Sequence, residues 1–181
     1  MSLPKYKPKN HIIMKIWMDN SEILLILKHL YYTDTMLEWG GGGSTTYFPQ
    51  FVDKYYSIEH DEEWSKELQK QIPDNVNLHY VPWDSPRTIP TQRSQFETYI
   101  AHVDTLGVDK FDKVLIDGRA RGWCAEYALN YLHKDSIIFI HDFWNRPQYH
   151  IVFDWYDEVD SIKTKGLQTI VALKPKKEYI K

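Results

Sequence analysis

The sequence predicts an α/β fold, a three-layer sandwich in which helices cover both faces of a mainly parallel sheet and an antiparallel C-terminal hairpin closes one edge. Three observations predict it. Strand-like and helix-like segments alternate along most of the 181 residues, the pattern that builds parallel sheets through crossover helices. Four consecutive glycines, Gly40 to Gly43, follow a short apolar run and lead into a segment that can begin a helix. An acid, Glu59, ends the next strand-like run, nineteen residues past Gly40 (59 − 40).

The elements follow in order. Residues 1–10, with Pro4, Pro8 and three lysines, read as a tail or linker ahead of one domain over 11–181. Asn20 and Ser21 cap a helix whose buried face is Ile23, Leu24, Ile26, Leu27 and Leu30. Strand one is Thr35 to Glu38, and a helix kept short by Pro49 follows the glycines. Strand two is Tyr55 to Glu59; Asp61 to Gln71 is a helix with Trp64 and Leu68 inside. Strand three is Val76 to Val81, and Ser85 to Gln95 is a polar loop. Phe96 to Leu106 is helical, Lys113 to Ile116 is strand four, and Trp123 to Leu132 is helical again. Strand five is Ile137 to Ile140, Tyr149 to Val159 a helix, and Ser161 to Leu173 a closing hairpin around Gly166, giving seven strands.

Composition narrows the function classes. A hydrophobic content of 43% suits a normal globular core. The net charge of −3 offers no basic field, which disfavours nucleic acid and anionic membrane as partners. Cys124 is the single cysteine; it excludes an intrachain disulfide, reads as packed and inert, and suits a reducing, cytoplasmic setting. No apolar run approaches the roughly 18 residues that span a membrane.

The glycines carry the first functional signal. Glycine inside regular structure costs about 0.5–1 kcal/mol against alanine. A turn that hugs a ligand is the usual reason to accept that cost, with the next helix's N–H groups facing the ligand; the plain alternative is a flexible linker. An acid about twenty residues on, at the next strand tip, can accept hydrogen bonds from ribose hydroxyls. A dinucleotide fingerprint needs a third glycine, and Thr45 or Thr46 stands in its place. What remains is Glu38-x-Gly40-x-Gly42-x-Ser44, which resembles motif I of the class I S-adenosylmethionine-dependent methyltransferases. The resemblance runs from about Asp34 to Lys174. It includes Val76 to Asp84 as third strand and tip, Phe111-Asp-Lys-Val-Leu-Ile-Asp117-Gly118 as the fourth, and Ser136 to Asp142 as the fifth. It implies a Rossmann-like sheet. It also implies a cofactor site made of Glu38, Gly40, Gly41, Gly42, Ser44, Thr45, Glu59, His60, Trp83, Asp84 and Asp117.

The tips of strands four and five carry Asp117 and His141-Asp142. Adjacent tips can share one hard cation, Mg²⁺ or Mn²⁺, which would lower the pKa of an acceptor hydroxyl. The layout resembles metal-dependent O-methyltransferases of the catechol and macrolide-sugar types. It departs from the first at Phe143, where Asn is usual, and from the second at His141, where Asp is usual. Asp117, His141 and Asp142 are therefore the expected catalytic and metal-holding residues, with a metal-free histidine base or a merely structural histidine as alternatives. Arg119, Arg121, Trp144, Arg146 and Tyr149 are the expected acceptor contacts; the arginines could instead pair with surface acids. His150 is a further candidate base or a structural histidine.

The expected activity is methylation of a sugar or glycan hydroxyl, by a free enzyme or by one domain of a larger glycan-assembly protein. A catechol-type acceptor is the runner-up. A nicotinamide-dependent oxidoreductase and a non-catalytic cofactor-binding module are the alternatives of other classes.

Overall fold

The computed structural model describes residues 14–85, 92–163 and 169–180. In chain order the elements are α1 (Asn20–Leu27), β1 (Thr35–Trp39), α2 (Gly43–Tyr47), β2 (Lys54–Glu59), α3 (Glu62–Gln69), β3 (Val76–Tyr80), α4 (Glu97–Ala101), β4 (Phe111–Ile116), α5 (Arg121–Ala128), β5 (Leu132–His141), β6 (Tyr156–Ile162) and β7 (Ile170–Pro175). The strands form one sheet in the order β3-β2-β1-β4-β5-β7-β6. Pairing is parallel from β3 through β5 and antiparallel where β7 joins β5 and β6. The expected tail at 1–10, most of the polar loop from Ser85 and the hairpin turn around Gly166 lie outside the described residues.

Successive strand residues point to opposite faces, so a strand covered on both sides reads as nearly continuous apolar sequence. In β1, Leu37 and Trp39 join a core with α4, α5 and the inner residues of β4 and β5. Met36 joins the other core, with Ile26 of α1 and Phe48 from the 3-10 turn after α2. Glu38 lies on the Met36 face, toward α2, and this alternation fixes its later role.

Three local expectations shift. The first helix is capped by Asp19, whose N–H donates to Glu22 Oε2 at 2.8 Å. An acid three residues into a helix can close the box in this way. Leu25 and Ile26 are buried there, while Leu24 is 64% exposed. The segment expected to be helical from Tyr149 to Val159 is instead a 3-10 stretch, Pro147–Asp154, followed by β6. Tyr156 opens that strand with its hydroxyl donating to the Ala125 carbonyl at 2.7 Å, and pairing with β7 overrides the helical pattern. Leu132, assigned to a helix from sequence, begins β5, where Ser136 Oγ donates to the Phe111 carbonyl across a register shift.

Candidate functional site

The tips of β1 and β4 meet through glycine. Gly40 has φ +96°, and a Cβ there would sit 2.2 Å from the Gly118 nitrogen. A Cβ on Gly118 would lie 2.8 Å from Gly40 Cα and 2.3 Å from the Tyr99 hydroxyl oxygen. Both tolerate the crossing only without a side chain. The N–H groups of Asp117 and Gly118 donate to the Trp39 carbonyl at 2.9 and 2.8 Å, which ties the two tips together. A third close approach is at Gly43, where a Cβ would lie 2.4 Å from the Lys15 carbonyl oxygen. Residues 15–18 thus run over the glycine turn.

Glu38 lies beneath this turn rather than in the open cleft. Its carboxylate accepts from Ser44 Oγ and Thr45 Oγ1, both at 2.5 Å, and from Ser57 Oγ at 3.0 Å. Complete burial raises its pKa to about 7, partly offset by those hydroxyl donors. Glu38 and Thr45 therefore brace the turn, while Gly40, Gly41, Gly42 and Ser44 line a cleft of about 910 Å³. Glu59 and His60 line it at the β2 tip, and Trp64 lines it from α3, its indole N–H donating to the Gly41 carbonyl at 2.7 Å. Trp83 and Asp84 are outside this lining. Trp83 stacks on His60 with ring centroids 5.4 Å apart, and Asp84 accepts the Thr98 N–H of α4 at 2.8 Å. The acids facing the cleft are Glu59, Asp61, Glu63, Glu67 and Asp117; the arginines are Arg119 and Arg121.

Asp117, His141 and Asp142 come together as expected, with one ligand atom from each lying within 4.8 Å of the others. Other charges fill the cluster. His141 Nδ1 is 2.9 Å from Asp117 Oδ1, and its Nε2 faces the fully buried Glu22 Oε1 at 3.4 Å. That second contact is an ion contact without hydrogen-bond alignment, since neither atom has a hydrogen-bond partner among the described residues. Arg121 donates from Nη1 to the His141 carbonyl and from Nε to the Gly118 carbonyl, and its Nη2 lies 3.3 Å from Asp117 and 3.5 Å from Asp142. Arg146 donates to Asp142 at 2.9 Å.

Burial alone would lower the His141 pKa. The Asp117 and Glu22 carboxylates, with the charge of Asp142, outweigh it and hold the imidazole up at about 9. At neutral pH the cluster is therefore three carboxylates against two guanidinium groups and an imidazolium. Arg121 and the His141 proton compete with a divalent cation for these carboxylates, so a metal here would have to displace that proton. A protonated His141 is also no base at neutral pH. Asp117 is the member of the trio that lines the cleft; His141 and Asp142 stand behind it.

A second cleft of about 560 Å³ adjoins the first, and Gly118 and Arg119 line both. Phe96, Trp123, Tyr149 and Trp155 give it aromatic walls, and Arg146 reaches it from the segment after β5. Of the expected acceptor residues, Arg119, Arg146 and Tyr149 are here. Arg121 is buried on the side of the first cleft, with the Tyr149 ring 5.9 Å away. Trp144 packs on Phe143, His150 and Phe153 instead, with Lys163 Nζ 3.8 Å from its ring centroid. His150 belongs to that same aromatic cluster. Cys124 is buried, and that burial pushes its thiol pKa far up. Non-glycine residues with positive φ flank the junction, Ala120 at 58° and Asp142 at 50°; such strain gathers at functional sites. Sequence reasoning missed Glu22, Trp155 and residues 16–18. Glu22 had a signal, the acid three residues after Asp19; the other two had none.

No protein-family model matches the chain, and no curated protein matches it in sequence. Solved structures do. A methyltransferase-like protein from Silicibacter pomeroyi superposes with a TM-score of 0.67 at 19% identity, covering 90% of each chain. The tRNA (m1A58) methyltransferase of Aquifex aeolicus superposes at 0.63 and 15% identity, over 95% of this chain and 78% of that one. This chain has the class I methyltransferase fold. The fold alone does not set the reaction: the precorrin 8w decarboxylase of Methanobacterium thermoautotrophicum shares it, with a TM-score of 0.60 at 11% identity over 89% of this chain and 92% of that one. Within the methyltransferase fold, the cleft at the β1 and β2 tips lies at the carboxyl ends of the strands, where open α/β sheets bind ligands.

Proposed function

We propose that this chain transfers a methyl group from S-adenosylmethionine to a hydroxyl of a sugar, free or within a glycan. The observation that carries the reading is the pair of clefts joined at Gly118 and Arg119, one acid-lined and one aromatic. Such a pair can hold a cofactor and an acceptor in line, and alignment is most of what methyl transfer needs.

The first cleft suits the cofactor by charge. Five acids face it against two arginines, one of them, Arg121, already paired with Asp117 and Asp142. That field favours a cationic sulfonium and opposes the pyrophosphate of a nicotinamide dinucleotide. Glu59 stands where ribose hydroxyls can be accepted, the Gly40–Gly118 crossing lets a ligand lie against the backbone, and Trp64 walls the far side. When bound, the cofactor supplies an electrophilic methyl group and a neutral thioether leaving group.

This chain's own residues do the rest. The aromatic walls exclude water and offer flat faces to the apolar side of a sugar ring. Asp117 accepts a hydrogen bond from the attacking hydroxyl and takes its proton as the oxygen–carbon bond forms. Arg121 and His141 hold that carboxylate in place, and Asp142 anchors Arg121 and Arg146. No cation enters this scheme. A phenolic hydroxyl is the second reading, favoured because a carboxylate is a weak base and a phenol gives up its proton more readily than a sugar does.

Radiolabelled methyl transfer should be compared across sugars, catechols, peptides and RNA, with and without chelator. Transfer to sugar that survives excess chelator is expected. Transfer to catechols alone selects the second reading, and activity that dies with chelator and returns with Mg²⁺ or Mn²⁺ overturns the metal-free scheme. Binding of NAD with no binding of S-adenosylhomocysteine rejects the cofactor assignment.

A further inference from the structure

We infer that the acceptor carries one carboxylate, and that Arg119 in the aromatic cleft holds it; this rests on the reading of that cleft as the acceptor site. Arg146 faces the cleft but donates to Asp142 at 2.9 Å. Glu126 faces it too, and accepts from Arg93 Nη1 at 2.7 Å. Each of these charges is met by a partner. Arg119 is exposed, and its guanidinium makes no ion pair or hydrogen bond among the described residues. Among the described residues, one uncompensated positive charge therefore stands at the rim of a slot whose aromatic walls are Phe96, Trp123, Tyr149 and Trp155.

Backbone geometry holds Arg119 there. Gly118 before it is pinned to the Trp39 carbonyl at 2.8 Å, and Ala120 after it takes a left-handed conformation, φ 58° and ψ 26°, to start α5. A left-handed alanine is costly, and it persists where the surroundings fix it. A planar guanidinium binds a carboxylate through two parallel hydrogen bonds. A doubly charged group fits less well, because Glu126 also lines this cleft and, of its two lining arginines, only Arg119 is uncommitted. A ring with an apolar face and one carboxylate, such as a uronic acid, matches both the walls and the charge.

The probes are pairs with and without that carboxylate: methyl glucuronoside against methyl glucoside, and dihydroxybenzoate against catechol. Each is titrated calorimetrically into the protein saturated with S-adenosylhomocysteine. Tighter binding of the acid within a pair, by about tenfold to a hundredfold as for other charged hydrogen bonds, is the expected result. Arg119→Gln should erase that preference, and Arg119→Lys should restore part of it. Equal binding within both pairs, or no binding of any probe, overturns the inference. So does an Arg119→Gln variant that keeps the preference but loses affinity for S-adenosylhomocysteine, because the arginine would then serve the cofactor's own carboxylate. The sugar reading is judged separately by methyl transfer: a preference confined to the dihydroxybenzoate pair supports the anion inference and counts against sugar.

Discussion

Raising the pH from 7 to 8.5 should weaken this fold chiefly through one side chain. His141 is held at about 9 against an ordinary 6.5 by Asp117 and Glu22, with Asp142 nearby. Between those values the native state keeps a proton that the unfolded chain has released, so stability is complete below 6.5 and declines as pH rises toward 9. At about 1.4 kcal/mol per tenfold change, the whole window amounts to about 3 kcal/mol, and the slope at its centre approaches that limit. Other groups act elsewhere. His29, His79 and His102 are lowered, chiefly by burial, and act below 6.5. Glu38, raised from 4.5 to about 7, loses stability over that interval as pH rises, and the tail of its titration adds a minor slope just above pH 7. Denaturant unfolding at steps between pH 7 and 8.5 reads the slope directly. The slope should fall to a small remainder in His141→Gln, whatever that variant does to absolute stability. A flat profile in the parent protein, or the same slope in the variant, refutes the assignment of an imidazolium to this cluster.

Three further outcomes are expected. Gly40→Ala should abolish S-adenosylhomocysteine binding by calorimetry and lower the melting temperature, because its Cβ would lie 2.2 Å from the Gly118 nitrogen at φ +96°. Glu59→Gln should weaken cofactor binding by about tenfold or more, the usual loss when a charged acceptor is removed, with circular dichroism unchanged. Trp123→Ala should raise the KM for the acceptor while leaving the Kd of S-adenosylhomocysteine in place, since Trp123 lines the second cleft and not the first.

Much of the fold was legible because burial on both sheet faces writes itself as apolar runs, and the glycines mark a turn that few other sequences tolerate. The C-terminal segment was not. Phe153 to Val159 carries a helix-compatible pattern, and only the distant β7 decides that Tyr156 starts a strand. The site was legible as a set of strand-tip residues and much less so as a set of roles. Sequence placed Asp117, His141 and Asp142 together but could not show Arg121 between the acids, because a guanidinium's reach depends on where α5 begins. Nor could it show that Glu22, 119 residues from His141 (141 − 22), faces the ring. Glu38 matched a motif by position, yet strand alternation turns it under the glycines toward three hydroxyls.

The sheet order has a consequence for how the chain is made. β1, with Met36, Leu37 and Trp39 wholly enclosed, sits between β2 and β4, and β4 is not synthesised until Phe111 to Ile116. A nascent chain that has emerged through Tyr80 can assemble β1, β2 and β3, but one side of its most apolar strand then has no neighbour. Unpaired strand edges of that kind recruit other chains. Until about thirty more residues follow (111 − 80 = 31), the half-built sheet is the species most in need of a chaperone, and a polypeptide cut short in that interval should be found in aggregates.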